Sequence, residues 1–97
     1  MKTETSTEMQ ATEHTLLICE ERCFLSGIPY VYRLRAVGNE LHSYFLISAS
    51  APGEEEQVSA GSDLLRAVSY FNRIVKNSVT PCTLEDVWDD LTYSEIF

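Results

Sequence analysis

The apolar positions of this chain change period once, near residue 60. From Thr15 to Leu25, Ile28 to Val37 and Glu40 to Ser50, β-branched, aromatic and aliphatic residues run in three segments separated by Gly-containing pairs, which predicts an antiparallel meander. Gly38-Asn39 has the composition of a two-residue type II′ hairpin turn. Counting outward from it sets Val37 opposite Glu40, Leu34 opposite Ser43, Tyr32 opposite Phe45 and Tyr30 opposite Ile47, and the face carrying Leu34, Tyr32, Phe45 and Ile47 is the core face. The same count from Ser26-Gly27 adds Cys23, Cys19 and Leu17 to that face and puts Glu20 opposite Arg33 on the other. Glu21 then aims at the core beside Tyr32, which calls for a bulge, a one-residue shift or an edge position open to water. After the turn-like Ala51-Pro52-Gly53-Glu54, Glu56 to Ala60 adds a short fourth strand.

Beyond residue 60 the spacing becomes helical. Ser62 is placed as the N-cap of a helix reaching about Asn77, with Leu64, Leu65, Val68, Phe71, Ile74 and Val75 on its inner stripe and Arg66, Tyr70, Arg73 and Asn77 outside. Thr80-Pro81 starts a second helix, because Pro is favoured at the first helical position and Thr can cap it. Leu84, Val87, Trp88 and Leu91 are its stripe, and it ends near Thr92. The fold class is therefore α+β: a three- or four-stranded antiparallel meander followed by two helices packed on one face, in the order ββββαα. Residues 1–13 lack apolar periodicity and are expected to form a disordered acidic tail, leaving residues 14–97 as one domain.

The stretch Thr80-Pro81-Cys82-Thr83-Leu84-Glu85-Asp86-Val87-Trp88-Asp89-Asp90-Leu91, with Ser62-Asp63 before it, resembles a family of short bacterial proteins from Firmicutes known only as a domain of unknown function. The likeness covers roughly the second half of the chain and rests mainly on helix caps and core positions. It implies a strand followed by an amphipathic helix and a short terminal helix, and it implies no activity and no site residue.

Charge narrows the function classes. Fifteen carboxylates against seven Lys and Arg leave a formal charge of −8, which disfavours nucleic acid and anionic membranes, whose binding draws on clustered cations. No apolar stretch approaches the roughly 20 residues that cross a bilayer, and residues 1–14 lack the apolar core of a signal peptide, so a cytoplasmic location is expected. Three cysteines in such a chain are expected to be reduced.

Candidate chemistry is sparse. Cys19 and Cys23 lie four apart in a strand, about 13 Å, too far for a direct disulfide and unlike a zinc knuckle. Cys82 begins a helix, where exposed amides lower a thiol's pKa, but neither His14 nor His42 can be set beside it as a base. Glu54, Glu55 and Glu56 lack the spacing of a calcium loop. The sequence therefore offers no catalytic residue, no cofactor site and no metal site.

Two surfaces stand out instead. Glu85, Asp86, Asp89 and Asp90 fill the outer face of the second helix, and from Asn77 to Phe97 there are five carboxylates and no basic residue. Such a face is either solvated or docks a basic protein partner, with Ile96 and Phe97 either folded back or forming an apolar anchor. The outer side of the sheet brings Ile18, Val31, Tyr44 and Leu46 among charged residues, more apolar surface than a monomer usually leaves wet, and is the candidate homodimer face. Two function classes follow: a non-enzymatic protein–protein interaction or regulatory module, or a small enzyme or ligand-binding protein using a pocket between sheet and helices, with Cys82, His42 or Tyr44 as its polar groups.

Overall fold

The computed structural model describes residues 14–38 and 42–96; the expected acidic tail, the Asn39 to Leu41 part of the second hairpin and Phe97 lie outside the described residues. Four antiparallel strands, β1 (His14–Leu25), β2 (Ile28–Gly38), β3 (Ser43–Ala51) and β4 (Glu54–Ser59), lie in sequence order in one sheet. Helix α1 (Leu64–Lys76), a 3-10 turn (Pro81–Thr83) and helix α2 (Leu84–Ile96) follow. The architecture is ββββαα.

Tyr32, Leu34, Ile47 and Ala49 rise from the middle of the sheet and are fully buried under Ala67, Tyr70, Phe71 and Ile74 of α1 and Leu84 at the start of α2. Area removed from water drives this packing, and the helices supply it from one side only. Alternation along the strands leaves Arg33, Arg35, Leu46 and Ser48 on the opposite face.

The first hairpin is built as the sequence predicts. Ser26 and Gly27 both have positive φ, 55° and 79°, the pattern of a type I′ turn, and Leu25 pairs with Ile28, Cys23 with Tyr30 and Glu20 with Arg33. The irregularity falls elsewhere: the register shifts between Leu17 and Cys19, so the bulge is at Ile18, while Glu21 stays in register opposite Tyr32 and is exposed on the edge strand. The bulge inverts the strand beyond it. Leu17, placed on the core face by simple alternation, instead pairs with Arg35 on the outer face, and Ile18, assigned to the outer face, packs partly buried against the core.

The second hairpin corrects the count from Gly38-Asn39. Gly38 pairs with Ser43, Leu34 with Ile47 and Tyr32 with Ala49, so the pairing is shifted by four. An even shift preserves the parity of every position, which is why the core face survives the wrong turn. Gly38 is required by crowding: a Cβ there would stand 2.6 Å from the His42 carbonyl oxygen and the Ser43 Cβ.

The helices differ from expectation in detail. Asp63, not Ser62, is the N-cap of α1, its Oδ1 accepting the Arg66 N–H at 3.2 Å. Its buried stripe is Ala67, Tyr70, Phe71 and Ile74, whereas Leu65 is 81% exposed. The stripe is turned toward Tyr70 because α2 lies on that side: the Tyr70 and Trp88 rings meet edge-to-face with centroids 4.9 Å apart. Thr80 gives no side-chain cap; its hydroxyl bonds the Thr83 hydroxyl at 2.8 Å, and the 3-10 turn opens with Pro81. Helix α2 runs on to Ile96 and does not stop at Thr92.

Tyr32 fastens the sheet to the connection between helices, its hydroxyl donating to the Val79 carbonyl at 2.9 Å. Burial, reinforced by the nearby Cys23 thiol, pushes its pKa up to about 12. The folded value lies above the ordinary tyrosine value of 10, so this contribution to stability is complete below pH 10 and is lost as pH rises toward 12. We expect the urea midpoint of the native chain to fall over that window more steeply than that of Tyr32→Phe. The same substitution strands a buried carbonyl and should cost about 1–2 kcal/mol at pH 7.

Candidate interaction surface

Sheet register assembles the outer face in rows running from β1 to β4. One row is Arg22, Val31, Ser50 and Glu55; the next is Glu20, Arg33, Ser48 and Gln57; the third is Leu17, Arg35, Leu46 and Ser59. Val37 and Tyr44 pair beyond them. Neither helix covers this side.

The middle row is polar and ordered. Arg33 Nε donates to Glu20 Oε1 at 2.9 Å and Arg22 Nε donates to Glu20 Oε2 at 2.9 Å, so one carboxylate holds two guanidinium groups. Hydrogen bonding from Arg33 first, and from Arg22 second, lowers the Glu20 pKa below the ordinary carboxylate value. Beside Arg33 sits Ser48, 1% exposed, whose hydroxyl makes no hydrogen bond among the described residues. A buried hydroxyl without a partner costs about 1–3 kcal/mol, an unusual feature on a sheet face that neither helix covers.

Of the four residues assigned to a dimer face, three share this surface: Val31 and Leu46 are half-buried and Tyr44 is 36% exposed. Ile18 does not, because the bulge turns it into the core margin. Arg35 adds a shallow cleft of about 470 Å³ with Glu55, Glu56 and Gln57, at the β4 side of the sheet.

Glu85, Asp86, Asp89 and Asp90 are all exposed on α2. Because α2 continues to Ile96, Asp89 and Asp90 sit in mid-helix, away from the negative end of the helix dipole. The like-charge pairing of Glu85 with Asp89, four residues on, remains. Ile96 is the last residue of α2.

The groups considered for a pocket are scattered. Cys82 is exposed beside Thr80, His42 stands in the β2–β3 connection and Tyr44 is on the outer face. The cleft between sheet and helices, about 370 Å³, is lined by Ser59, Ala60, Gly61, Arg66, Tyr70, Trp88 and Thr92, none of them among those groups. Cys19, Cys23 and Cys82 are free thiols, and no three metal-ligating side chains converge among the described residues. Among the described residues no helix is long and apolar enough to cross a membrane.

No family model matches the sequence, and no curated protein or solved structure matches it either.

Sequence reasoning missed the orphan hydroxyl of Ser48 and the exchange of Leu17 for Ile18. The first needs the burial of a small residue by longer neighbours, which alternation does not report. The second needs the position of the bulge.

Proposed function

We propose that this chain is a non-enzymatic interaction module whose working surface is the uncovered face of the sheet. The observation that carries the reading is the one-sided architecture: both helices pack on a single face, and the other presents Val31, Tyr44 and Leu46 around the Arg33–Glu20–Arg22 cluster. Apolar side chains set among fixed charges suit a protein partner, with the apolar groups providing affinity and the charges orientation. Leu46→Asp tests it. Leu46 is outside the buried core, so the variant should fold, and it should lose at least tenfold in affinity for whatever protein co-purifies with the native chain. A variant that folds and still retains that partner at native affinity contradicts the reading.

A docking role for the acidic face of α2 toward a basic partner is the second reading, supported by four exposed carboxylates within six residues. If that face serves only solvation, Asp89→Lys should stabilise the chain by about 0.5–1 kcal/mol, since it turns the repulsion from Glu85 into a favourable i, i+4 pair. If the face docks a basic partner, the same variant should fold as well or better and lose a salt-sensitive complex. Urea titration and binding at two ionic strengths separate the outcomes.

A further inference from the structure

The two edges of the sheet are built differently. β4 is six residues long and carries Glu54, Glu55 and Glu56, a run of like charge that repels another strand. β1 is twelve residues long, mixes Glu20, Glu21 and Arg22 at its centre and flanks them with apolar residues, among which Phe24 is 74%, Leu16 66% and Leu17 49% exposed. A long edge of this kind is a template for a further strand.

The sequence of β1 says which strand. Read outward from Glu21, it pairs Glu20 with Arg22, Cys19 with Cys23, Ile18 with Phe24 and Leu17 with Leu25. Each pair is either opposite in charge or alike in kind, which is what an antiparallel strand needs to meet a copy of itself.

Backbone geometry selects the same centre. In a two-residue hairpin the closing residues, here Leu25 and Ile28, exchange hydrogen bonds, so by alternation Cys23, Glu21 and Cys19 bond toward β2. Phe24, Arg22 and Glu20 then turn their N–H and C=O groups to the open edge. A second copy can bond to those groups only if a two-fold axis falls level with a residue, not between residues. An axis at Glu20 sets Glu20 against itself, and one at Arg22 sets Arg22 against itself. Only the axis at Glu21 sets Glu20 opposite Arg22, and it does so twice.

We propose that two copies of this chain join antiparallel through β1, about a two-fold axis at Glu21, into one eight-stranded sheet. The proposal rests on reading the chain as an interaction module but uses the sheet's edge, so the working faces of the two copies become continuous. Each Glu20 lies between its own Arg33 and Arg22 of the second copy. Phe24 falls at the bulge of the second copy, near Leu17. Glu21 facing its own copy weakens the pairing and makes it tunable.

Cys19 of one copy faces Cys23 of the other in a non-hydrogen-bonded pair, where the Cα atoms are about 4.5 Å apart and within disulfide reach. Two single-cysteine chains read this register: one keeps Cys19 (Cys23→Ser, Cys82→Ser) and the other keeps Cys23 (Cys19→Ser, Cys82→Ser). With copper–phenanthroline and air as oxidant, an equimolar mixture should give a covalent dimer in high yield. Each chain alone should give little, because like cysteines are four residues out of register, about 13 Å. In the chain with its native cysteines, Glu21→Gln should lower the dimer dissociation constant roughly two- to fivefold and Arg22→Glu should raise it at least tenfold, by light scattering or sedimentation. A folded native chain that is monomeric at high micromolar concentration overturns the proposal, as does a folded mixture that fails to cross-link or a Cys19 chain that cross-links to itself. If the serine variants do not fold, the response to Arg22→Glu decides: an unchanged dimer overturns the proposal and a dissociated one supports it. Leu46→Asp, which acts on the face, should leave the cross-linking pattern intact, so loss of the face reading and loss of the edge reading give different results.

Discussion

Phe71→Ala is expected to lower the unfolding free energy by about 3–5 kcal/mol, enough to leave a domain of this size marginal or unfolded at 25 °C. Phe71 is 1% exposed and packs in the same buried cluster as Tyr32, Leu34 and Ile47. Its removal opens a cavity at the junction of α1 and the sheet that neighbouring side chains cannot fill without leaving their rotamers. Urea unfolding followed by far-ultraviolet circular dichroism measures the loss. A cost below about 1 kcal/mol would mean that α1 does not hold the sheet through this residue.

Leu84→Ala comes next, at about 2–5 kcal/mol. Leu84 is completely buried where the 3-10 turn becomes α2, and among the described residues it is the only one of α2 in the buried cluster; Val87, Trp88 and Leu91 pack half-buried against that cluster. The sequence pattern makes Trp88 the natural anchor of this helix. Leu84 has that role in the structure, and Trp88 instead lies against Tyr70 at the helix–helix contact. The expected order of cost is therefore Leu84→Ala above Trp88→Ala, and thermal unfolding of the two variants side by side checks it.

How far the sequence carried can be traced to particular residues. The type and order of the elements were legible because strand and helix periods are each repeated several times, and one ambiguous residue does not change them. Glu20 opposite Arg33 was legible because a two-residue turn leaves no freedom in the count. The second hairpin failed at Gly38: its glycine is needed for close backbone approach to Ser43, and a turn reading mistakes that need for a positive φ. Parity rescued the face. A carboxylate facing the core is costly, and of the three remedies open at Glu21, a bulge, a one-residue shift or an edge position open to water, the structure takes the last, while the bulge itself falls at Ile18. At an edge strand water reaches Glu21 and removes that cost. The stripe of α1 was misjudged because hydrophobicity ranks Leu64 and Leu65 above Ala67 and Tyr70, while burial follows the position of α2. The outer sheet face was legible as Val31, Tyr44 and Leu46, and its polar centre was not, since nothing in the sequence marks Ser48 apart from its neighbour Ser50.

The most direct test of the uncovered sheet face as the working surface is oxidative footprinting of the native chain, alone and with its co-purifying partner. Tyr44 and Leu46 should be labelled in the free protein and protected in the complex, while Tyr32 and Tyr70 stay unlabelled in both and Tyr93, 65% exposed on α2, is labelled in both. Protection of Tyr93 with Tyr44 and Leu46 unchanged would contradict the account and move the binding surface to the acidic helix.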